Sequence, residues 1–327
     1  MKNSLLIISA LLFFLGCSSK EYYTPKESFS GSALKNSDTI TFFSRDGATL
    51  ESGLVLIPKG RLNLNLKEGE LFINRTPYGI ILATKSKRVT VVRGKSRLDI
   101  TLPKPLLAGT LIGDKLIYVL KDNSFGVYDL KDRDILFNDT SQVTYSIDTR
   151  VANPILVDNL VIIPLLNGKL IVFNIRANRV IKEVLVSVNG VLNNIIFLKR
   201  FKDVVIASTP HKIVTIGDRG RKEIEEEISE VTLNGDNIFI FLKDGRVLRA
   251  DSMLRVQDEK KFKFAHFVVG TLHNSRVFAL EKQGYLIVTN KNFTDTKVYK
   301  FDEVEGHSFV SGGKIYYDNN IINLDRI

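Results

Sequence analysis

Cys17 is the only cysteine in the chain, and the residues around it give its thiol a chemistry. Lys2 supplies a positive start, Leu5 to Leu15 an apolar run, and Gly16 a small residue directly before the thiol. Ser18, Ser19 and Lys20 turn polar at once. This is the order of a bacterial lipoprotein signal, in which the apolar run is cleaved off and the cysteine becomes an acylated N-terminus. At about eleven residues the run is too short to span a bilayer. Phe14 stands at the third position before the cysteine, where such signals usually carry Leu, and Leu15 follows it. The expectation is a signal peptide over 1–16, a lipid attachment at Cys17 and a flexible tether over 17–37, polar and rich in Ser, Lys and Glu. The residue after Cys17 is Ser18 and not Asp, the usual inner-membrane retention signal of enteric lipoproteins; resemblance to those lipoproteins implies the outer membrane, with the protein facing the periplasm.

The remaining reactive side chains do not assemble into a catalytic pattern. His211, His266, His273 and His307 lack ligand spacing, and with Cys17 acylated no thiol is left for a metal or a disulfide. There is no G-x-S-x-G, H-E-x-x-H or P-loop. Paired acids such as Asp132 and Asp134 fall in turns, where Asp caps backbone amides. No cofactor, no metal and no enzymatic activity are therefore expected. The formal charge of +10 is partly concentrated in Lys85, Lys87, Arg88, Arg93, Lys95 and Arg97, a candidate patch for an anionic membrane surface or an acidic partner. Nucleic acid is not expected as a partner in that compartment. The opposite run, Glu223, Glu225, Glu226, Glu227 and Glu230, reads as a short helix or a charged outer strand at the surface.

An all-β repeat must position these groups. An apolar fraction of 44% suits a packed globular domain, yet no stretch carries apolar residues at helical spacing. Short apolar strands instead flank turns at Asn123-Ser124, Asn167-Gly168, Pro210-His211, Asp244-Gly245, Gln283-Gly284 and Asn319-Asn320. A weaker copy runs from Glu70 through Pro77-Tyr78-Gly79 to Ala83. The turns recur every 34 to 45 residues or so, the per-blade period of a β-propeller. Polar turns such as Lys131-Asp132-Arg133 and Arg176-Ala177-Asn178 then lead into outer strands. Seven four-stranded antiparallel blades over 38–327 are expected. Thr39–Phe43 and Gly53–Ile57 would complete the last blade by pairing the two chain ends; eight blades result if 37–68 forms a blade of its own.

Gly168-Lys-Leu-Ile-Val-Phe-Asn174 and Gly126-Val-Tyr-Asp129 resemble the blades of pyrroloquinoline-quinone-type propellers. Joined to a lipoprotein signal, the layout resembles the BamB family of outer-membrane lipoproteins. That resemblance implies a non-catalytic scaffold, monomeric within a complex, that assists assembly of outer-membrane β-barrels with a BamA-type barrel insertase as partner. A module of another envelope complex (secretion, motility or peptidoglycan) is the alternative. The chain holds no Trp, although blade-closing Trp is typical of these repeats; Leu136 and Ile181 are read at that apolar position. Without Trp and a cysteine pair, the quinone site of related dehydrogenases is not expected.

Overall fold

A computed structural model describes residues 21–142, 144, 150–188 and 192–327. The chain forms eight four-stranded antiparallel blades, so the ring holds eight and not seven. The additional blade is the first: Ile40–Phe43, Ala48–Leu50, Leu54–Ile57 and Gly60–Asn63 make a sheet of their own instead of completing the last one. The second spans Leu71–Thr76 to Ser96–Thr101, the third Leu106–Ile112 to Asp134–Thr140, and the fourth Ile155–Val157 to Arg179–Leu185. The fifth spans Phe197–Phe201 to Gly220–Glu225, the sixth Ile228–Asn234 to Val256–Lys261, and the seventh Phe267–His273 to Thr296–Lys300. Ser308–Ser311, Lys314–Tyr317 and Asn320–Asn323 supply only three strands of the eighth.

Leu34–Lys35 completes the eighth blade by antiparallel pairing with Asn320 and Ile321, so the chain ends do close the ring. Phe29–Ser30 adds a fifth strand to the seventh blade, parallel to Tyr299 and Lys300. Tyr23 packs edge-on against Phe262 and Tyr285. The described part of the expected tether, from Glu21 onward, is thus laid along the last two blades and is not free. Residues 1–16 and Cys17 lie outside the described residues.

The core consists of clusters sandwiched between adjacent blades. Val161, Ile163 and Phe173 of the fourth blade pack with Ile117, Val119 and Phe125 of the third. Neither blade alone could bury both faces, and stacking around a ring lets each cover the next. The turns read from the sequence recur at one place in this scheme, between second and third strands. Gly168 and Gly245 adopt φ of 79° and 86° there. A Cβ at either would lie 2.2 or 2.1 Å from the carbonyl oxygen of Ser187 or Phe262, so glycine is required sterically as well as conformationally. In the second blade Pro77-Tyr78 is instead the turn between first and second strands, and the equivalent of the other turns is 84–87.

Leu136 and Ile181 do not close blades. In the third blade Val127 faces Phe137 and Tyr128 faces Ile135, so Leu136 is the extra residue of a bulge. In the fourth, Val172 faces Lys182 and Phe173 faces Val180, which leaves Ile181 in the same position. Both are turned outward, 37% and 45% exposed, while Phe137 and Val180 pack into the core. One unpaired residue reverses the face on which the alternation lands.

Candidate functional site

The first strand of each blade lines the central channel, and bulges near its start aim the side chains that follow. Register shifts leave Leu107, Ser229 and Val268 unpaired in the third, sixth and seventh blades. The residues after them are Ala108, Glu230 and Val269, so the sixth blade holds a carboxylate where its counterparts are apolar.

That carboxylate meets the turn 44–47 of the first blade. Arg45 Nη2 lies 2.7 Å from Glu230 Oε1 and donates to the Val231 carbonyl at 3.2 Å. Its guanidinium stands 5.1 Å from the centre of the Phe197 ring in the fifth blade. Asp46 accepts a 2.7 Å bond from Asn153 Nδ2, just before the fourth blade, and Asn153 Oδ1 accepts from the Gly109 amide of the third. Ser44 Oγ donates to the Ile73 carbonyl of the second blade at 2.9 Å. One short turn therefore bonds across the ring. Arg45 and Glu230 side chains are only 16% and 19% exposed. Burial pushes the Glu230 carboxyl up, but the charge and hydrogen bond of Arg45, the charge of Arg150 and the Val231 amide together hold it below its ordinary value.

The tie leaves an eccentric lumen of about 770 Å³ bounded mainly by the first and the fifth to eighth blades. Its charged walls carry Arg45, Arg150, Lys199, Lys243 and Lys282 against Asp46 and Glu230, with His266, His273 and His307. Lys243 and Lys282 occupy the same position in their blades, as does Lys121 in the third. Their amides donate to Glu227, His266 and Pro105, each just before the inner strand of its own blade. Lys243 also pairs with Glu227 at 2.7 Å. Among the described residues no group of three or more His, Cys, Asp or Glu could hold a metal, and no helix is long and apolar enough to cross a membrane.

The sequence-marked basic residues do not form one patch. Lys85, Lys87 and Arg88 lie at the start of the second blade's third strand; Arg93 and Lys95 lie at its far end. Arg93 pairs with Asp114 at 2.6 Å, and Arg97 is held by the buried Glu70 carboxylate. The acidic run also divides. Glu223 and Glu225 sit on an outer strand, as a charged outer strand requires, and both reach Lys212. Glu230 lies in the channel.

Glu281 ends the second strand of the seventh blade, beside Lys282, and is fully buried. Oε1 accepts from the Tyr285 amide at 3.0 Å; Oε2 has no partner among the described residues. Burial pushes its carboxyl up, against the lowering influence of the Tyr285 and Gln283 amides and of Lys300. Burial likewise takes the Tyr23 phenol to about 12, with Glu281 adding to it. A carboxyl raised in the fold contributes stability below its unfolded pKa and loses it as pH rises through the folded value. Glu281→Gln is therefore expected to stabilise the domain more at pH 8 than at pH 5, read from urea midpoints at the two values. An equal shift at both would refute the raised carboxyl.

This architecture is that of an eight-bladed β-propeller, and solved structures agree. BamB from Moraxella catarrhalis superposes with a TM-score of 0.63 at 14% identity, covering 89% of this chain and 98% of that one. The C-terminal WD40 domain of Sif2 gives 0.64 at 9% identity, covering 90% and 98%. In sequence, the chain is similar to the plasminogen-binding protein PgbB of Helicobacter pylori strains J99 and 26695, at 26% identity over 99% of this chain and 70% of each relative. No protein-family model matches the sequence.

Proposed function

We propose that this chain is a non-catalytic, protein-binding propeller of the cell envelope, held to the outer membrane by acyl chains on Cys17 and facing the periplasm. The observation that carries the reading is the alignment with PgbB, a protein named for binding another protein: it covers 99% of this chain, and so all eight of its blades. A rigid ring with blade edges and loops on two faces suits such binding. A second reading, a BamB-like scaffold for β-barrel assembly, is favoured by the superposition on BamB, which covers 89% of this chain.

The deciding experiment immobilises the purified protein and titrates plasminogen and, separately, the soluble domains of a BamA-type insertase. Saturable binding of plasminogen alone supports the first reading; binding of the insertase alone supports the second. If neither binds, protein binding in both forms fails. The anchor is tested independently. Cys17→Ala is expected to release the protein into the soluble fraction, and a variant that stayed membrane-bound after a high-salt wash would contradict the lipid attachment.

A further inference from the structure

We propose that the cationic lumen beside the cross-tie binds an extended acidic peptide segment of the protein partner. The inference rests on the protein-binding reading and names its site and the partner's chemistry.

The charge balance of the walls points there. Asp46 and Glu230 are the carboxylates of the lumen, and both are already engaged, by Asn153 and by Arg45. Arg45 is consumed by the same tie, and Lys243 by Glu227. Lys199 and Lys282 are left without an acidic partner among the described residues; the ammonium of Lys199 stands 5.8 Å from the centre of the Phe197 ring. Two uncompensated cations in a protein-walled channel focus a positive potential, because field lines are confined by the low-dielectric walls. Both point charges belong to the lumen lining, yet they come from different blades, the fifth and the seventh.

The arrangement separates a peptide from a small anion. A compact anion is held best by donors converging on one point, typically a planar guanidinium fork. Here the Arg45 guanidinium is occupied by the tie and that of Arg150 donates to the Ser229 carbonyl at 2.8 Å, so the cations left without an acidic partner are lysines distributed around the wall. Carboxylates spaced along an extended chain can meet such charges in succession. A lumen of about 770 Å³ admits several residues of chain. His266 and His307 on the same wall offer further polar contacts.

The test uses the full lipidated chain in detergent and a fluorescein-labelled octaglutamate peptide, with octaglutamine as control. Polarisation is expected to show saturable, salt-sensitive binding of octaglutamate only. The double variant K199Q/K282Q should weaken it by roughly tenfold or more, while K95Q/K131Q, on outer turns, leaves it unchanged. Failure of octaglutamate to bind at low salt overturns the proposal. So does equal weakening by the two double variants, which would mean diffuse surface attraction. Pyrophosphate binding that depends on Lys199 and Lys282, without peptide binding, would assign the lumen to a small anion instead. If K199Q/K282Q retains the protein partner at full affinity, the partner docks elsewhere; the protein-binding reading then survives and this inference does not.

Discussion

Arg45→Met is expected to lower the unfolding free energy by about 3 kcal/mol, because it leaves a buried carboxylate without its cation. Among the described residues, Glu230 would keep the Val231 amide, at 2.9 Å, and the charge of Arg150. The loss should be far smaller in R45M/E230M, where both charges leave the channel together and apolar side chains fill a similar volume. Such a cycle separates the cost of an orphaned charge from the net worth of the pair. The pH dependence has a definite sign. Glu230 is held below its ordinary value in the fold, so its contribution is present above the unfolded pKa and is lost as pH falls through the folded one. The gap between wild type and R45M should therefore narrow below about pH 4. Urea midpoints of the three proteins measure all of this. Equal stability of wild type and R45M at pH 7 would mean that the tie carries no load.

Gly270→Ala is expected to cost about 3 kcal/mol through overpacking between the sixth and seventh blades. A Cβ at 270 would lie 2.3 Å from the Phe241 ring. That ring is fully buried and held edge-on against Phe267 at a centroid distance of 5.8 Å, so it has nowhere to move. Removing the obstruction should compensate: G270A/F241L is expected to be more stable than G270A alone, although F241L by itself creates a small cavity. Thermal melts of the three variants decide it. A G270A protein that melts with wild type would contradict the tight inter-blade contact.

The propeller was legible in the sequence because its turns are chemically marked. Asn-Gly, Asp-Gly and Gln-Gly recur where the backbone needs positive φ and where a Cβ would strike a carbonyl. The first blade was harder to see because its second strand, Ala48–Leu50, has only three residues and its positive-φ turn is marked by Ser52-Gly53, where no carbonyl crowds the glycine. Ring closure by Leu34–Lys35 rests on a two-residue strand in a polar stretch, too short to show any periodicity. Bulges explain the misplacement of Leu136 and Ile181, since alternation cannot reveal where one residue drops out of register.

The cross-tie was not legible as a contact, because Arg45 and Glu230 are far apart in the chain and meet only when the ring closes. A partial signal existed. Gly109-Thr110-Leu111, Val231-Thr232-Leu233 and Gly270-Thr271-Leu272 hold the same place in three inner strands. Aligning them sets Glu230 against Ala108 and Val269, an acid at an apolar position. The surrounding run of glutamates masks that signal and makes Glu230 look like surface. The lysines of the lumen are similarly dispersed, and only their common position in the blade relates Lys243 to Lys282.

The proposed partner presents carboxylates to this lumen. Carbodiimide cross-linking in intact cells tests it most directly, because it joins lysine amines to carboxylates only where they touch. After digestion and mass spectrometry, cross-links are expected from Lys199 or Lys282 to aspartates or glutamates of a single partner protein. Cross-links confined to outer lysines such as Lys95 and Lys131, with Lys199 and Lys282 unlinked to any partner, would contradict it.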